Sequence, residues 1–438
     1  MKRKHLLLIC TFAISLFALS SCGGDDPTPP PPPPGGPTSV VLSSDNATIF
    51  DNSDNVFTLK IVGNNSVDYT SESTFYVNGN AITGNIFDPE GNSGSYTVYA
   101  KYGDIESNTI ILNVIGENFA FESISISSNI DVAFIESEFS FKVLGTIPSA
   151  GNIDITNLMT IFVNDSPIDG TTFTPLEANN YSVYAKLGTQ TSNTITITAI
   201  KGYKHKVLIE DFTGAWCPYC TRILYAIDLL HAQTSDVLIA AIHRGNPSGG
   251  YYDPFNVPEA AALEDKLGVE GYPTAWIGRT AVWTYPEPNN INQPINMIQG
   301  KTAYGISISS SLSASSGTVD ISVAFDAALS SAKLVVYVLE DNLILDQANG
   351  YSDLYGGQHP IPNFNHKDVV RKVVTNILGD AIPAEKTTAG STYTTTLNAN
   401  YTSANVANLK VMAFVLDASG NVVNVQVAKA NTTLGFEE

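Results

Sequence analysis

Trp216-Cys217-Pro218-Tyr219-Cys220 is the stretch on which the reading of this 438-residue chain turns. Two residues between the thiols let both sit in one turn, and both sulfurs are expected to be exposed together at the tip of a helix. If Cys217 lies at a helix N-terminus, the unpaired backbone N–H groups and the positive end of the helix dipole favour its thiolate. Pro218 is then expected as the first helical residue, where its missing N–H costs nothing. Upstream, 207–212 (VLIEDF) reads as a buried strand, and downstream Ile223, Leu224, Ile227 and Leu230 fall on one helical face. A second apolar strand is expected at 237–242 and a helix at 258–268, stopped by Gly268. Gly271-Tyr272-Pro273-Thr274-Ala275-Trp276-Ile277 enters a further strand through a proline. This alternation predicts an α/β domain over residues 203–300.

The chain has four cysteines, Cys10, Cys22, Cys217 and Cys220. Residues 1–21 read as a secretory signal, with Lys2, Arg3 and Lys4 before an apolar stretch over 6–19. A transmembrane anchor is the competing reading, but the stretch falls short of the ~20 residues that a span needs. Leu19-Ser20-Ser21-Cys22 resembles a bacterial lipoprotein processing box, which implies cleavage before Cys22 and acylation of its sulfur. The membrane is thus an expected partner through lipid on Cys22. The mature chain then holds one cysteine pair in an oxidising compartment, where a Cys217–Cys220 disulfide forms unless something reduces it. Residues 22–37 form a stalk with six consecutive prolines, Pro29 to Pro34, an extended spacer. Gly23-Gly24-Asp25-Asp26 resembles the acidic signals of surface-exported lipoproteins. Outer membrane is the expected location, on its surface or its periplasmic face.

Composition points to a β-rich extracytoplasmic body, 43% hydrophobic and only 15% charged. Loss of three basic residues with the signal leaves 19 against 42 acidic ones, a formal charge of −23. Nucleic acid and anionic lipid head groups are therefore poor partners for this surface, and no nucleic acid is expected. An internal repeat precedes the cysteines. Tyr96-Thr97-Val98-Tyr99-Ala100-Lys101 recurs as Tyr181-Ser182-Val183-Tyr184-Ala185-Lys186, and Ser107-Asn108-Thr109-Ile110 as Ser192-Asn193-Thr194-Ile195, both 85 residues on. Short alternating runs between Gly, Asn, Asp and Ser predict two small β-sandwiches, 38–116 and 119–200. They resemble bacterial immunoglobulin-like domains. The acidic run 51–55 lacks the spaced ligands of a calcium loop and reads as a turn.

Over 203–299 the chain resembles the thioredoxin family. Asp211, six residues before Cys217, falls where that family keeps a buried acid, and Pro273 matches its cis-proline. The Pro-Tyr dipeptide between the cysteines is the pairing of glutaredoxins, whereas thioredoxins usually carry Gly-Pro. The resemblance implies Cys217 as nucleophile, Cys220 as resolving thiol and Asp211 as proton relay. It also implies Trp216, Pro218, Tyr219, Tyr272 and Pro273 as the polypeptide-docking surface. A zinc site would need a second pair of ligands that the sequence does not supply. An inert staple is the other alternative, and its loop is too short to stabilise much.

Beyond residue 301 the pattern is again β, with strands expected at 306–312, 319–325, 334–339, 409–416 and 422–427, a C-terminal sandwich over 301–438. The segment from Gln358 to Arg371, with Val335, Tyr337 and Leu339 before it, resembles the C-terminal part of the outer membrane protein twenty-eight family of lipoproteins. That resemblance implies a thioredoxin-like region followed by a sandwich. His359, His366 and Asp368 have no usual ligand spacing and read as packing or capping groups, so no metal or cofactor is expected. No chemistry is assigned to His243. The expected architecture is multidomain and β-rich: two immunoglobulin-like β-sandwiches, a thioredoxin-like α/β domain and a C-terminal β-sandwich. Two functions follow. One is a thiol-disulfide oxidoreductase acting on polypeptide thiols or disulfides, its redox partner unassigned. The other is an adhesion or binding lipoprotein that reuses the fold.

Overall fold

The protein was analysed as a computed structural model that describes residues 36–51, 55–116, 119–148, 151–245, 251–402 and 405–438. The signal, Cys22, the proline stalk and residues 52–54 of the acidic turn lie outside the described residues. The chain divides into two compact units, 1–120 and 121–438. No described helix is long and apolar enough to cross a membrane.

The first unit is a two-sheet β-sandwich. One sheet runs Thr48–Phe50, Ile110–Ile115, Gly94–Tyr102, Thr74–Val77, Asn80–Ile82, and the other Val40–Ser44, Phe57–Gly63, Ile86–Phe87. Strict alternation in Phe57–Gly63 turns Phe57, Leu59 and Ile61 inward against Val98, Ala100, Leu112 and Val114. In the second unit, residues 123–200 repeat the plan. Ile195–Ile200 lies between Val132–Phe134, paired parallel, and Asn179–Leu187, paired antiparallel, as Ile110–Ile115 does in the first copy.

The rest of the second unit is built on one sheet of nine strands. Its strands in chain order are β1 (Val207–Thr213), β2 (Val237–His243), β3 (Thr274–Ile277), β4 (Ala281–Val282), β5 (Lys333–Glu340), β6 (Val369–Val373), β7 (Leu409–Leu416) and β8 (Val422–Lys429), with Asp380–Ala381 added on β5. The spatial order is β4-β3-β1-β2-β6-β5-β7-β8. β1 and β2 are parallel along their whole length, joined through helix α1 (Thr221–His231). Helix α2 (Ala261–Leu267) follows β2 and ends at Gly268, whose φ of 68° is the left-handed conformation that closes a helix without a Cβ penalty.

Residue alternation assigns each face. Val207 and Ile209 of β1 pack with Ile223, Ala226 and Leu230 of α1, whereas Leu208 and Phe212 pack with Leu263 and with Val335, Tyr337 and Leu339 of β5. The intervening residues of β5, Leu334, Val336 and Val338, belong to a different core, shared with strands Tyr304–Leu312 and Ser316–Phe325. β7 divides in the same way, Met412 and Phe414 to one side, Val411 and Ala413 to the other.

The expected boundary at residue 300/301 therefore falls within a shared structure rather than between two bodies. β5 and β7 are apolar on both faces, so the C-terminal sandwich alone would leave one face wet, and the α/β segment supplies the missing cover. The continuous apolar run LVVYVL is the sequence sign of a strand buried on both sides.

The seam is pinned by charge. Arg279 donates from Nε and Nη2 to the two oxygens of Glu210 at 2.8 Å each, and from Nη1 to the Ile377 carbonyl at 2.9 Å. The Tyr337 hydroxyl donates to Glu210 at 2.8 Å. All three side chains are buried. Removing one partner strands a charge, so Arg279→Met is expected to destabilise this unit by about 3–5 kcal/mol. The paired change Glu210→Gln with Arg279→Met is expected to recover most of that. All three tryptophans, Trp216, Trp276 and Trp283, lie in this unit, so their fluorescence in a urea titration reads it selectively.

Candidate functional site

The cysteine pair sits where β1 hands the chain to α1. β1 ends at Thr213, and the backbone turns through Gly214 and Ala215 with Cys217 N–H donating to the Gly214 carbonyl at 3.0 Å. Cys217 and Cys220 are joined in a disulfide with Cα atoms 5.5 Å apart. Two expectations are corrected here. Cys217 and Pro218 lie in turns ahead of the helix; α1 begins at Thr221 with Cys220 as its N-cap. The pair is not exposed at a helix tip, since Cys217 is 1% and Cys220 0% accessible.

Alternation along β1 puts Asp211 on the same face as Val207 and Ile209, the face that α1 covers. Asp211 is fully buried, and neither carboxyl oxygen has a hydrogen-bond partner. Burial, reinforced by the nearby Glu287 charge and only partly offset by Arg222, pushes its carboxyl up to about 8. Arg222, in the first turn of α1, forks onto both oxygens of Glu287 and lies over the Tyr285 ring, 4.6 Å from its centroid.

The docking-surface residues are partly brought together. Tyr272–Pro273 is a cis peptide, as the family resemblance implies, and Thr274 pairs with Phe212, so Pro273 stands beside the end of β1 that leads to the cysteines. Trp216 packs edge-on to Tyr272 at 5.8 Å and against Tyr251 at 4.5 Å. Its indole N–H donates to the Arg244 carbonyl at 2.7 Å. The Tyr272 hydroxyl donates to Glu264, and burial with that carboxylate raises the phenol to about 12. Tyr219 is 56% exposed, while Pro218 is half-buried with its carbonyl engaged.

Several residues of the site gave no sequence signal. His243, at the end of β2, donates from Nδ1 to Asp253 at 2.9 Å, and the same carboxylate accepts from the Ala215 N–H at 2.7 Å and the Phe255 N–H at 2.8 Å. Burial would raise the Asp253 carboxyl, yet these bonds hold it below the ordinary carboxylate value. The His243–Asp253 pair thus positions the turn before Cys217. His366 packs against His243, Phe255 and Phe364, and burial together with His243 lowers its imidazole to about 4. Asp368 accepts from Lys410, and His359 accepts the Asn349 N–H at 3.2 Å. Among the described residues no group of three or more ligand-type side chains is placed to hold a metal.

The largest omission is the segment after strand Leu343–Gln347. The Gln347 side-chain amide donates to the carbonyls of Gly214 at 3.3 Å and Cys217 at 3.0 Å. Ala348 N–H donates to the Ala215 carbonyl at 2.8 Å, and Gly350 N–H to the Pro218 carbonyl at 2.7 Å. Only the Asn349-Gly350 dipeptide marked a turn here; pairing across 130 residues leaves no local pattern to read.

Residues 260–434 match the family Outer membrane protein Omp28. The match covers α2 and seven of the nine strands of the sheet, all but β1 and β2, and begins after the cysteines. Among solved structures, HBP35 of Porphyromonas gingivalis is 22% identical, covering 52% of this chain and 76% of its own, with a TM-score of 0.41. A domain of the outer membrane lipoprotein Omp28 from Porphyromonas gingivalis is 16% identical over 30% of this chain and 89% of its own, TM-score 0.21. Domains 4–9 of the surface layer protein SbsC are 13% identical over 90% and 66%, TM-score 0.19. No curated protein matches.

Folded Asp211 keeps its proton to about pH 8, whereas the unfolded chain releases it near 3.8. The stability held in the neutral carboxyl is complete below about pH 4 and drains away as pH rises through 8. Asp211→Asn, which cannot ionise, is expected to be more stable than the parent at pH 8. Its advantage shrinks by an amount on the order of a few kcal/mol at pH 4, read as urea midpoints by tryptophan fluorescence. A difference that does not change with pH would mean that Asp211 ionises normally.

Proposed function

We propose that the chain is an outer-membrane lipoprotein, acylated at Cys22, whose residues 203–300 are a thioredoxin-like module with a thiol-disulfide oxidoreductase site for extracytoplasmic polypeptides. The observation that carries this reading is a Cys217–Cys220 disulfide set at the start of α1, above a strand whose buried, unpartnered Asp211 stays protonated at neutral pH. Such a carboxyl can exchange a proton with a neighbouring thiol at the pH where the enzyme works. The match of residues 260–434 to the Omp28 family supports the envelope location.

In the reducing direction, the Cys217 thiolate attacks one sulfur of a substrate disulfide. A Cys217–substrate disulfide forms and the second substrate sulfur leaves as a thiolate. The departed substrate thiolate takes up the Cys220 proton, neutral Asp211 relaying it by accepting on one carboxyl oxygen as it releases its own proton from the other. The Cys220 thiolate attacks the Cys217 sulfur, which closes the internal disulfide and releases the first substrate sulfur as a thiolate. Two electrons pass from the protein dithiol to the substrate; the Cys220 proton ends on one substrate sulfur, and the other takes from water the proton that Cys217 released on forming its thiolate. The oxidising direction is the reverse. Trp216, Tyr219, Tyr272 and Pro273 flank the approach.

A second reading, a binding or adhesion lipoprotein without turnover, is favoured by the near-complete burial of both sulfurs and by the paired sandwiches. The two separate cleanly. Cys217→Ser is expected to abolish exchange with a peptide disulfide, and Cys220→Ser to accumulate mixed disulfides that non-reducing electrophoresis of envelope fractions resolves. Exchange that persists in Cys217→Ser rejects the oxidoreductase, and cell attachment unchanged in the double serine variant then supports adhesion.

A further inference from the structure

We propose that residues 347–351 are a strap that occupies the polypeptide-docking edge of the cysteine loop in the resting protein, and that an extended polypeptide must displace it before the disulfide reacts. The identity of the displacing partner rests on the oxidoreductase reading; the strap itself does not.

The strap is hydrogen-bonded to the cysteine loop through main-chain donors and one side-chain amide. Its donors at Ala348 and Gly350, two residues apart, meet the carbonyls of Ala215 and Pro218. The Gln347 amide takes those of Gly214 and Cys217. These are the acceptors that an incoming extended chain would use, because main-chain pairing to an open edge supplies affinity without demanding a particular sequence. Gly350 suits the position closest to the loop. A Cβ there would lie 3.3 Å from the Pro218 carbonyl oxygen and 3.3 Å from the Tyr219 ring, a tight fit that a larger residue meets only if its neighbours give by a few tenths of an ångström.

The strap keeps its own shape. The Asn349 side-chain amide donates to the carbonyls of Tyr351, Leu354 and Gln358, and the Tyr351 N–H donates back to Asn349 Oδ1. Its side-chain attachments to α1 are few: Thr221 Oγ1 to Asn349 Oδ1 at 2.9 Å, Arg222 Nη1 to the Tyr351 hydroxyl at 2.9 Å, and the Tyr355 hydroxyl to Asp228 at 3.2 Å. Lifting it strands no charge, since Arg222 keeps Glu287. Closure is also imperfect, because Gln347 Oε1 is buried without a partner, an unfavourable state that displacement relieves. Gly356 and Gly357, both at positive φ, lie where the strap turns back toward strand Ile361–His366.

The test uses the full chain. Reduction of the Cys217–Cys220 pair by dithiothreitol is followed by iodoacetamide quench and intact mass, in the parent, in Tyr351→Phe and in Gly350→Pro. Tyr351→Phe removes only the acceptor for Arg222 and is expected to speed reduction about fivefold, the effect of one hydrogen bond on an opening equilibrium. Gly350→Pro removes the donor to Pro218 and is expected to speed it further, with the tryptophan-monitored urea midpoint showing that the unit still folds. Should Gly350→Pro fail to fold, Tyr351→Phe decides alone. Equal reduction rates in the folded variants and the parent overturn the strap. Turnover of a peptide disulfide is measured in parallel: faster reduction without turnover upholds the strap and rejects the oxidoreductase, whereas turnover with unchanged reduction rates rejects the strap alone.

Discussion

Neither face of strands β5 and β7 can be left to water, and most of the second unit follows from that constraint. Leu334, Val336 and Val338 on one side, and Val335, Tyr337 and Leu339 on the other, each lie in a separate core. The first is closed by the antiparallel strands of the C-terminal sandwich. The second is continued by Leu208 and Phe212 of β1 and Ala240 and Ile242 of β2 and is covered by Val257, Ala260 and Leu263. Two segments that look like separate domains in sequence thus share a sheet, and the buried Glu210–Arg279–Tyr337 cluster fixes their register across the seam. A charge pair at such a place contributes more to the uniqueness of the arrangement than to its free energy, since its desolvation offsets most of its attraction.

Much of this was legible in the residues. The parallel pair β1 and β2 announces itself as two continuous apolar runs, α1 by its apolar positions at helical spacing, and the two sandwiches by their 85-residue repeat. Each of these signals is local, and local signals survive without a structure. What could not be read depends on contacts far apart in sequence. The LVVYVL run of β5 looks the same whether the second face meets a helix, another sheet or a neighbouring domain. The expectation of an exposed cysteine pair failed for the same reason, because nothing near Cys217 signals that Gln347 and Gly350 lie against it.

The site itself reads as two shells around one disulfide. Below it, Asp211 is held neutral by burial, with the Arg222–Glu287 pair setting the field around it. Behind the turn, Asp253 gathers His243 and the Ala215 N–H into one cluster and so fixes where Cys217 begins. Arg222 is common to the lower shell and the cover, since the same guanidinium contacts Glu287 and Tyr351. The electrostatics under the sulfurs and the fit of the segment above them are therefore joined through one side chain.

The separation of 130 residues between Cys217 and Gln347 also bears on how the molecule is made. Closing a loop of that length costs chain entropy before any contact rewards it, so the hairpin that carries Gln347 docks late relative to the local β1-α1-β2 unit. During that interval the two thiols stand open to any oxidant present. The bond can thus be made on a partly folded chain and then sealed by the arrival of the C-terminal strands, which makes the order of assembly the first gate on its chemistry.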